Sequence, residues 1–420
     1  VGRIRGGTAR FRPSIDLFGL PFTPMSAQPL AGVTVVDLTR YLPGPLAAKL
    51  LADLGARVLK VEEPQMGDPV RLAPPIKKGK SSLATLLLSG VESLCLDLKR
   101  AEARRVLEHL LEGADVLLET FRPGALARMG LGPTRLRRRF PRLVIGSISG
   151  WGQDGPYANR SGHDLTYQAI AGTLANGERM PHQPVADLLG AWSAVTAVLA
   201  ALHERHTSGQ GAWIDAALFD AAVHANLVGW AAEADGAKAL GEPLSLTGAL
   251  PCYNLYRTAE GTPLALAALE PHFWERFCNA VGRRDLLGEQ FSRKAEAKRA
   301  LAELAAGRTR GQWQALLRAH DLPAELVLSS REAMDHPQTR ARGVLRQGGD
   351  SLPRIAFPAR FDGQRPVAGD HCPGLGEHTA KVLDEWGLLD ADLPLFRGRA
   401  GIGKRFSVKR LILRLVTRSA

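Results

Sequence analysis

Cysteine is scarce in these 420 residues. There are four, Cys95, Cys252, Cys278 and Cys372, and no two stand at C-x-x-C spacing. That excludes a thiolate zinc site and a disulfide framework, and it suits the reducing cytoplasm. His182, His203 and His206 show no ligand spacing with acidic residues, so no metal is expected. No G-x-G-x-x-G follows the first strand, which argues against a nicotinamide dinucleotide. No run approaches the ~20 apolar residues of a membrane span. The N-terminal "LFGLPF" is too short for a signal peptide's apolar region.

Acidic residues are few at the two ends, and this accounts for the net charge of +12. Residues 1–24 set Arg3, Arg5, Arg10 and Arg12 against Asp16 alone. Residues 397–420 carry eight lysines and arginines and no acid, so the tails hold 11 of the 12 charges. A nucleic-acid binder more often carries its basic patch on the folded body, so nucleic acid is not an expected partner. The tail "KRFSVKRLILRLVTR" is basic and amphipathic. It would suit an anionic membrane surface, although a poorly ordered extension is the simpler reading. Met25 offers an alternative start, with 1–24 as upstream translation.

What the chain does contain is β and α in alternation. "VTVVDL" is a short β-branched run, followed by "PGPLAAKLLADLGA" with prolines at its start and glycine at its end, as a helix requires. "RVLKVEEP", "SLCLDL", "DVLLET" and "RLVIGSIS" are further strands, with the amphipathic "RAEARRVLEHLLEGA" and a short arginine-rich helix among them. This spacing predicts an α/β fold with a parallel sheet covered by helices. Residues 188–234 are alanine-rich and read as helices throughout. "PCYNLYRTAEGTPLALAALE" predicts a hairpin about Glu260-Gly261. The expected organisation is a large domain from 25–234 and 331–394, a small α+β domain at 235–330, and extensions at 1–24 and 395–420.

One segment, "SGHDLTYQAIAG" at 161–172, sets two ionisable groups between glycine turns. With it come "LAGVTVVDLTRYLPGPLAAKLLADLGARVLKVEEP", "GDPVR", "LDLK", "DVLLETFRPG", "RLVIGSISGWGQDGP", "DHPQTRARGV" and "PGLGEHT", in that order along Leu30–Leu388. On these motifs the chain resembles the family III CoA-transferase superfamily. That family includes carnitine-CoA and formyl-CoA transferases and α-methylacyl-CoA racemases, and "GHDLTY" is similar to the racemase branch. The resemblance implies a Rossmann-like large domain, a smaller α+β domain, and an interlocked homodimer with the active site between domains of different subunits. It implies an acyl-CoA substrate, with coenzyme A as part of that substrate and no metal or redox cofactor.

It also implies site residues. His163 and Asp187 of "PVADLLGAW" would face each other across the substrate's α-carbon, and Glu270 of "LEPHFW" would orient the histidine. Arg122 of "FRPG", Asp164 and Tyr167 would lie at the CoA site. The chemistry suits these types. A proton α to a thioester is very weakly acidic, so its removal needs a placed base, and inversion needs a donor on the opposite face. Imidazole trades protons near neutral pH, and a carboxyl can donate there once burial raises its pKa. Plainer roles stay open. Asp164 could cap a helix starting near Leu165, Asp187 could cap the next helix, and Glu270 could be a turn residue. Arg122 could be a solvated loop arginine and Tyr167 core packing.

In a transferase the same Asp187 would attack the thioester and carry CoA to an acceptor acid. An idle CoA-binding or membrane-associated protein is the third reading. The motif order has one departure: "LLLSGVES" replaces an Asn-Arg-Gly-Lys-like stretch, leaving Lys77, Lys78 and Lys80 upstream as substitutes. "HDLPAELVLSS" at 320–330 also strays from the expected pattern.

Overall fold

Six short strands, nearly all of their residues shielded, form the centre of the molecule. In the computed structural model the described residues are 28–388, apart from Lys78, 176–179, 235–243 and Ser351. The extensions at 1–24 and 395–420, and Met25, lie outside the described residues.

The strands are β1 (Thr34–Leu38), β2 (Arg57–Glu62), β3 (Glu92–Cys95), β4 (Val116–Glu119), β5 (Val144–Ser149) and β6 (Trp213–Ala217). They lie in the order β3-β2-β1-β4-β5-β6, every neighbouring pair parallel. Strand alternation assigns the two faces. Val35, Val58, Val116 and Leu118 pack one way, against α1 (Pro43–Asp53) and α4 (Val185–Ser208). Val36, Leu59, Leu117 and Ile145 pack the other way, against α2 (Ala101–Glu112) and the late helix Thr379–Glu385. A segment from late in the chain therefore helps to cover one face of the early sheet. The mixed α/β architecture with a parallel central sheet matches the expectation.

Two features differ from the sequence reading. Residues 188–234 are not all helical, because β6 lies among them. It is an edge strand of five residues, two of them exposed, and it runs straight into the helix Leu218–Ala225, so its pattern is too short to stand out. Its signal was Gly209 and Gly211. Gly209 ends α4 at φ +70°, and a Cβ on Gly211 would lie 2.1 Å from the Leu143 carbonyl oxygen. The second feature is α4 itself. It is 24 residues long and apolar enough, by length and composition, to cross a membrane. Here its Ala191, Ala194, Val195 and Val198 are buried against the sheet.

The departure at "LLLSGVES" has a packing explanation. Ser82–Leu88 is a helix whose Ala84, Leu87 and Leu88 are buried, and Gly90 follows at φ +84° with the Ala368 methyl where a Cβ would go. Lys77 and Lys80 sit on an exposed two-residue pairing beside it, and Lys78 is outside the described residues. The "AEL" of "HDLPAELVLSS" becomes an edge strand. That strand, β9 (Ala324–Leu326), joins the predicted hairpin of β7 (Tyr253–Arg257) and β8 (Pro263–Ala267) in an antiparallel sheet. Trp274, Phe277 and Trp313 fill a separate core beneath it.

Candidate active site

In an open parallel sheet the ligand crevice forms at the carboxyl ends of strands, where neighbouring strands lead off to opposite faces. Here that point lies between β1 and β4. The loop after β1 (Thr39–Tyr41) leads to α1 on one face, and the loop after β4 (Thr120–Arg122) leads the other way. The Arg40 main-chain N–H donates to Thr120 Oγ1 across the gap, 3.0 Å. Above it lies a cleft of about 340 Å³, lined among others by Arg40, Tyr41, Arg122, Trp151, His163, Tyr167 and Asp187.

His163 occupies the capping position of α3 (Asp164–Ile170) in extended conformation. Its N–H donates to Thr166 Oγ1 at 3.0 Å, and the Thr166 hydroxyl donates back to the His163 carbonyl at 2.7 Å. The backbone is thus fastened to the helix while the imidazole stands exposed at the cleft. Its ring meets Tyr41 edge-on, with centroids 6.5 Å apart.

Asp187 lies in the first turn of α4 and is half-buried. A helix start by itself favours a carboxylate. Burial, and then the charge of Asp164, outweigh this and push the Asp187 carboxyl up from 3.8 to about 7. A group so placed changes protonation at neutral pH.

Asp164 does not cap its own helix. It is the first helical residue, because Thr166 already serves the His163 backbone. The Asp164 carboxylate turns toward α4, accepting the Asp187 N–H at 3.1 Å and the Gln168 side-chain amide at 2.6 Å. Asp187 likewise is not the cap of α4, which falls at Pro184.

Tyr167 is 5% exposed and sits edge-on to Trp151, centroids 4.8 Å apart. Burial pushes its phenol up to about 12. Two glycines make room for it. A Cβ at Gly150 would stand 2.3 Å from the Tyr167 oxygen, and one at Gly162 would stand 2.5 Å from its ring. Arg122 is exposed and donates to Ser161 Oγ at 3.2 Å, tying its loop to the His163 segment. It also borders an adjoining cavity of about 410 Å³. Glu270 is exposed at the capping position of α5 (Pro271–Val281) and is not among the residues lining the cleft. Among the described residues no cluster of three His, Cys, Asp or Glu could hold a metal.

Sequence reasoning passed over a buried charge cluster that holds the Tyr41 loop. Lys60 and Asp37, inside the runs "VLKVE" and "VVDL", are wholly buried. Lys60 Nζ lies 3.2 Å from Asp37, 3.0 Å from Asp68 and 2.8 Å from the Thr39 carbonyl oxygen. Burial works against the Lys60 charge, but Asp37, Asp68 and Glu62 prevail and hold it above the ordinary lysine value. Asp68 also accepts the main-chain N–H of Tyr41 and of Val70, both at 3.0 Å. The available signal was a charged residue inside each of two strands otherwise fit only for burial.

The family model of CoA-transferase family III matches residues 30–379. The chain is 32% identical to human alpha-methylacyl-CoA racemase over 85% of its own length and 93% of the human protein's. It is 33% identical to a probable fatty acyl-CoA transferase of Mycobacterium tuberculosis, over 86% of this chain and 99% of that one. A crystal structure of a CAIB/BAIF family protein from Brucella suis superposes with a TM-score of 0.75, at 27% identity, covering 86% of this chain and 99% of that one.

Proposed function

The chain belongs to CoA-transferase family III, and within that family we propose that it inverts the α-carbon of an α-methylacyl-CoA thioester by 1,1-proton transfer. The observation that carries this is the shared cleft of His163 and Asp187, the latter titrating at about 7. Neutral His163 takes the α-proton from one face. The electron pair moves onto the thioester oxygen as an enolate, and protonated Asp187 delivers its proton to the other face. The product leaves with the opposite configuration, and the two side chains have exchanged protonation states. The reverse reaction uses them in the opposite roles, as an isomerase requires.

Arg122 and Arg40 supply positive charge at the cleft for the anionic CoA moiety. Asp164 and Tyr167 act from beneath, through Asp187 and through the cleft wall. The proposal includes a homodimer, in which Glu270 of a second copy approaches His163 and orients its imidazole. The exposed side chains of Leu227 and Trp230 support a further apolar contact of this kind.

A CoA-transferase is the second reading, favoured by the Mycobacterium tuberculosis relative's description. Asp187 would then attack the thioester carbonyl and expel the CoA thiolate, giving a mixed anhydride; the thiolate would attack the Asp187 carbonyl and release the donor carboxylate, leaving an aspartyl-CoA thioester. An acceptor carboxylate would displace that CoA to form a second anhydride, and attack of the thiolate on the acceptor acyl carbon would release the new acyl-CoA and free Asp187. Incubation with 2-methylacyl-CoA in D₂O separates the two. Deuterium at the α-carbon, lost in His163→Ala, supports the racemase. Hydroxylamine capture of acylated Asp187, with no α-deuterium, favours the transferase.

A further inference from the structure

Tyr41 holds a backbone conformation that tyrosine rarely adopts. Its φ is +73°, and among the described residues only one other non-glycine, Asp362, has a positive φ. Such a residue is retained against its steric cost only where its surroundings over-determine it. Those surroundings are the buried charges already described. Lys60 fixes Asp68, Asp68 takes the Tyr41 N–H, and Thr120 takes the Arg40 N–H. The result is a large ring, 57% exposed, held out of the core and into the cleft at the edge of the His163 imidazole. A glycine would satisfy the same turn without strain. The turn itself therefore does not call for an aromatic; the cleft is the feature that the ring changes.

We propose that Tyr41 is a specificity-determining residue. Its ring closes the space above the acyl α-carbon beside His163 and so limits the size of the α-substituent that the cleft accepts. This rests on the reading of the cleft as an acyl-CoA site, with His163 at the α-carbon. A rigid ring excludes by overlap, whereas a missing ring leaves room. A wall of this size discriminates by roughly 10- to 200-fold between neighbouring substituents.

The test uses the full chain and its Tyr41→Ala, Tyr41→Gly and Tyr41→Phe variants, with the CoA thioesters of butanoic, 2-methylbutanoic and 2-ethylbutanoic acid. Two readouts are taken for each: α-deuterium exchange in D₂O, and affinity by calorimetry. The wild type and Tyr41→Phe should discriminate against the ethyl substituent. Tyr41→Ala and Tyr41→Gly should narrow that ratio by about tenfold or more. Tyr41→Gly should also unfold at a temperature no lower than the wild type, since the strain is relieved. Exchange in all variants with an unmoved ratio overturns the role of Tyr41 and leaves the racemase standing. Binding ratios that shift, with no exchange in any protein, support Tyr41 and overturn the racemase. If none of the thioesters binds, both fall.

Discussion

A carboxylate oxygen of Asp164 accepts the main-chain N–H of Asp187 at 3.1 Å. The contact joins the starts of two helices and sets one acid beside another. It satisfies a donor that the first turn of α4 would otherwise leave unpaired, and it is the second cause, after burial, of the raised Asp187 titration.

Replacing Asp164 by asparagine separates these effects. The amide oxygen still accepts the Asp187 N–H, but the neighbouring charge is gone. The Asp187 titration should fall below 7 and stay above 3.8, because burial remains. A carbon-13 NMR titration of the Asp187 carboxyl measures this. Asp164→Ala should in addition lose about 1–2 kcal/mol of stability, as capping losses do.

Asp187 also links stability to pH. Its carboxyl titrates at about 7 when folded, against an ordinary value of 3.8. Between those values the folded state binds the proton more tightly. Its contribution is therefore full below about pH 4 and is lost as pH rises through 7. Asp187→Asn avoids that loss. Denaturant unfolding should find the variant more stable than wild type at about pH 8, by on the order of 1–3 kcal/mol, with the difference vanishing below about pH 4.

His163 is exposed, and its side chain supports no buried structure. His163→Ala should leave stability within about 0.5 kcal/mol. If the proposed chemistry holds, α-deuterium exchange should fall by about 10²–10⁴-fold. Thermal unfolding and the D₂O assay on one preparation check both halves.

Lys60→Met removes the cation that Asp37 and Asp68 share. Asp37 and Asp68 would then be buried with no cation at their shared point. A loss of about 3–5 kcal/mol is expected in urea unfolding. The Tyr41 turn should loosen with it, seen as faster amide exchange at Tyr41.

Some of this was legible along the chain. β1 to β5 and the 253–267 hairpin were visible because a short buried strand is a nearly continuous apolar run and a helix keeps its period. His163 and Asp187 stood out through the motifs around them. β6 was hidden because five edge residues, two of them exposed, make no clear pattern. The contact of Asp164 with Asp187 was not legible, because the two lie 23 positions apart on different helices. The positive φ of Tyr41 was not legible, since a strained backbone is a property of the folded chain.

Taken alone, the sequence determined five of the six central strands and the helices between them, and therefore that a parallel sheet would be built. Periodicity and turn chemistry act between near neighbours, so they are written in the order of residues. Only the tertiary structure decided that β1 and β4 lie side by side, that their loops open a cleft there, and that His163, Asp187 and Tyr41 line it. Strand order, burial and the resulting shift of a carboxyl to about 7 depend on groups far apart in the chain, brought together only when the sheet closes around them.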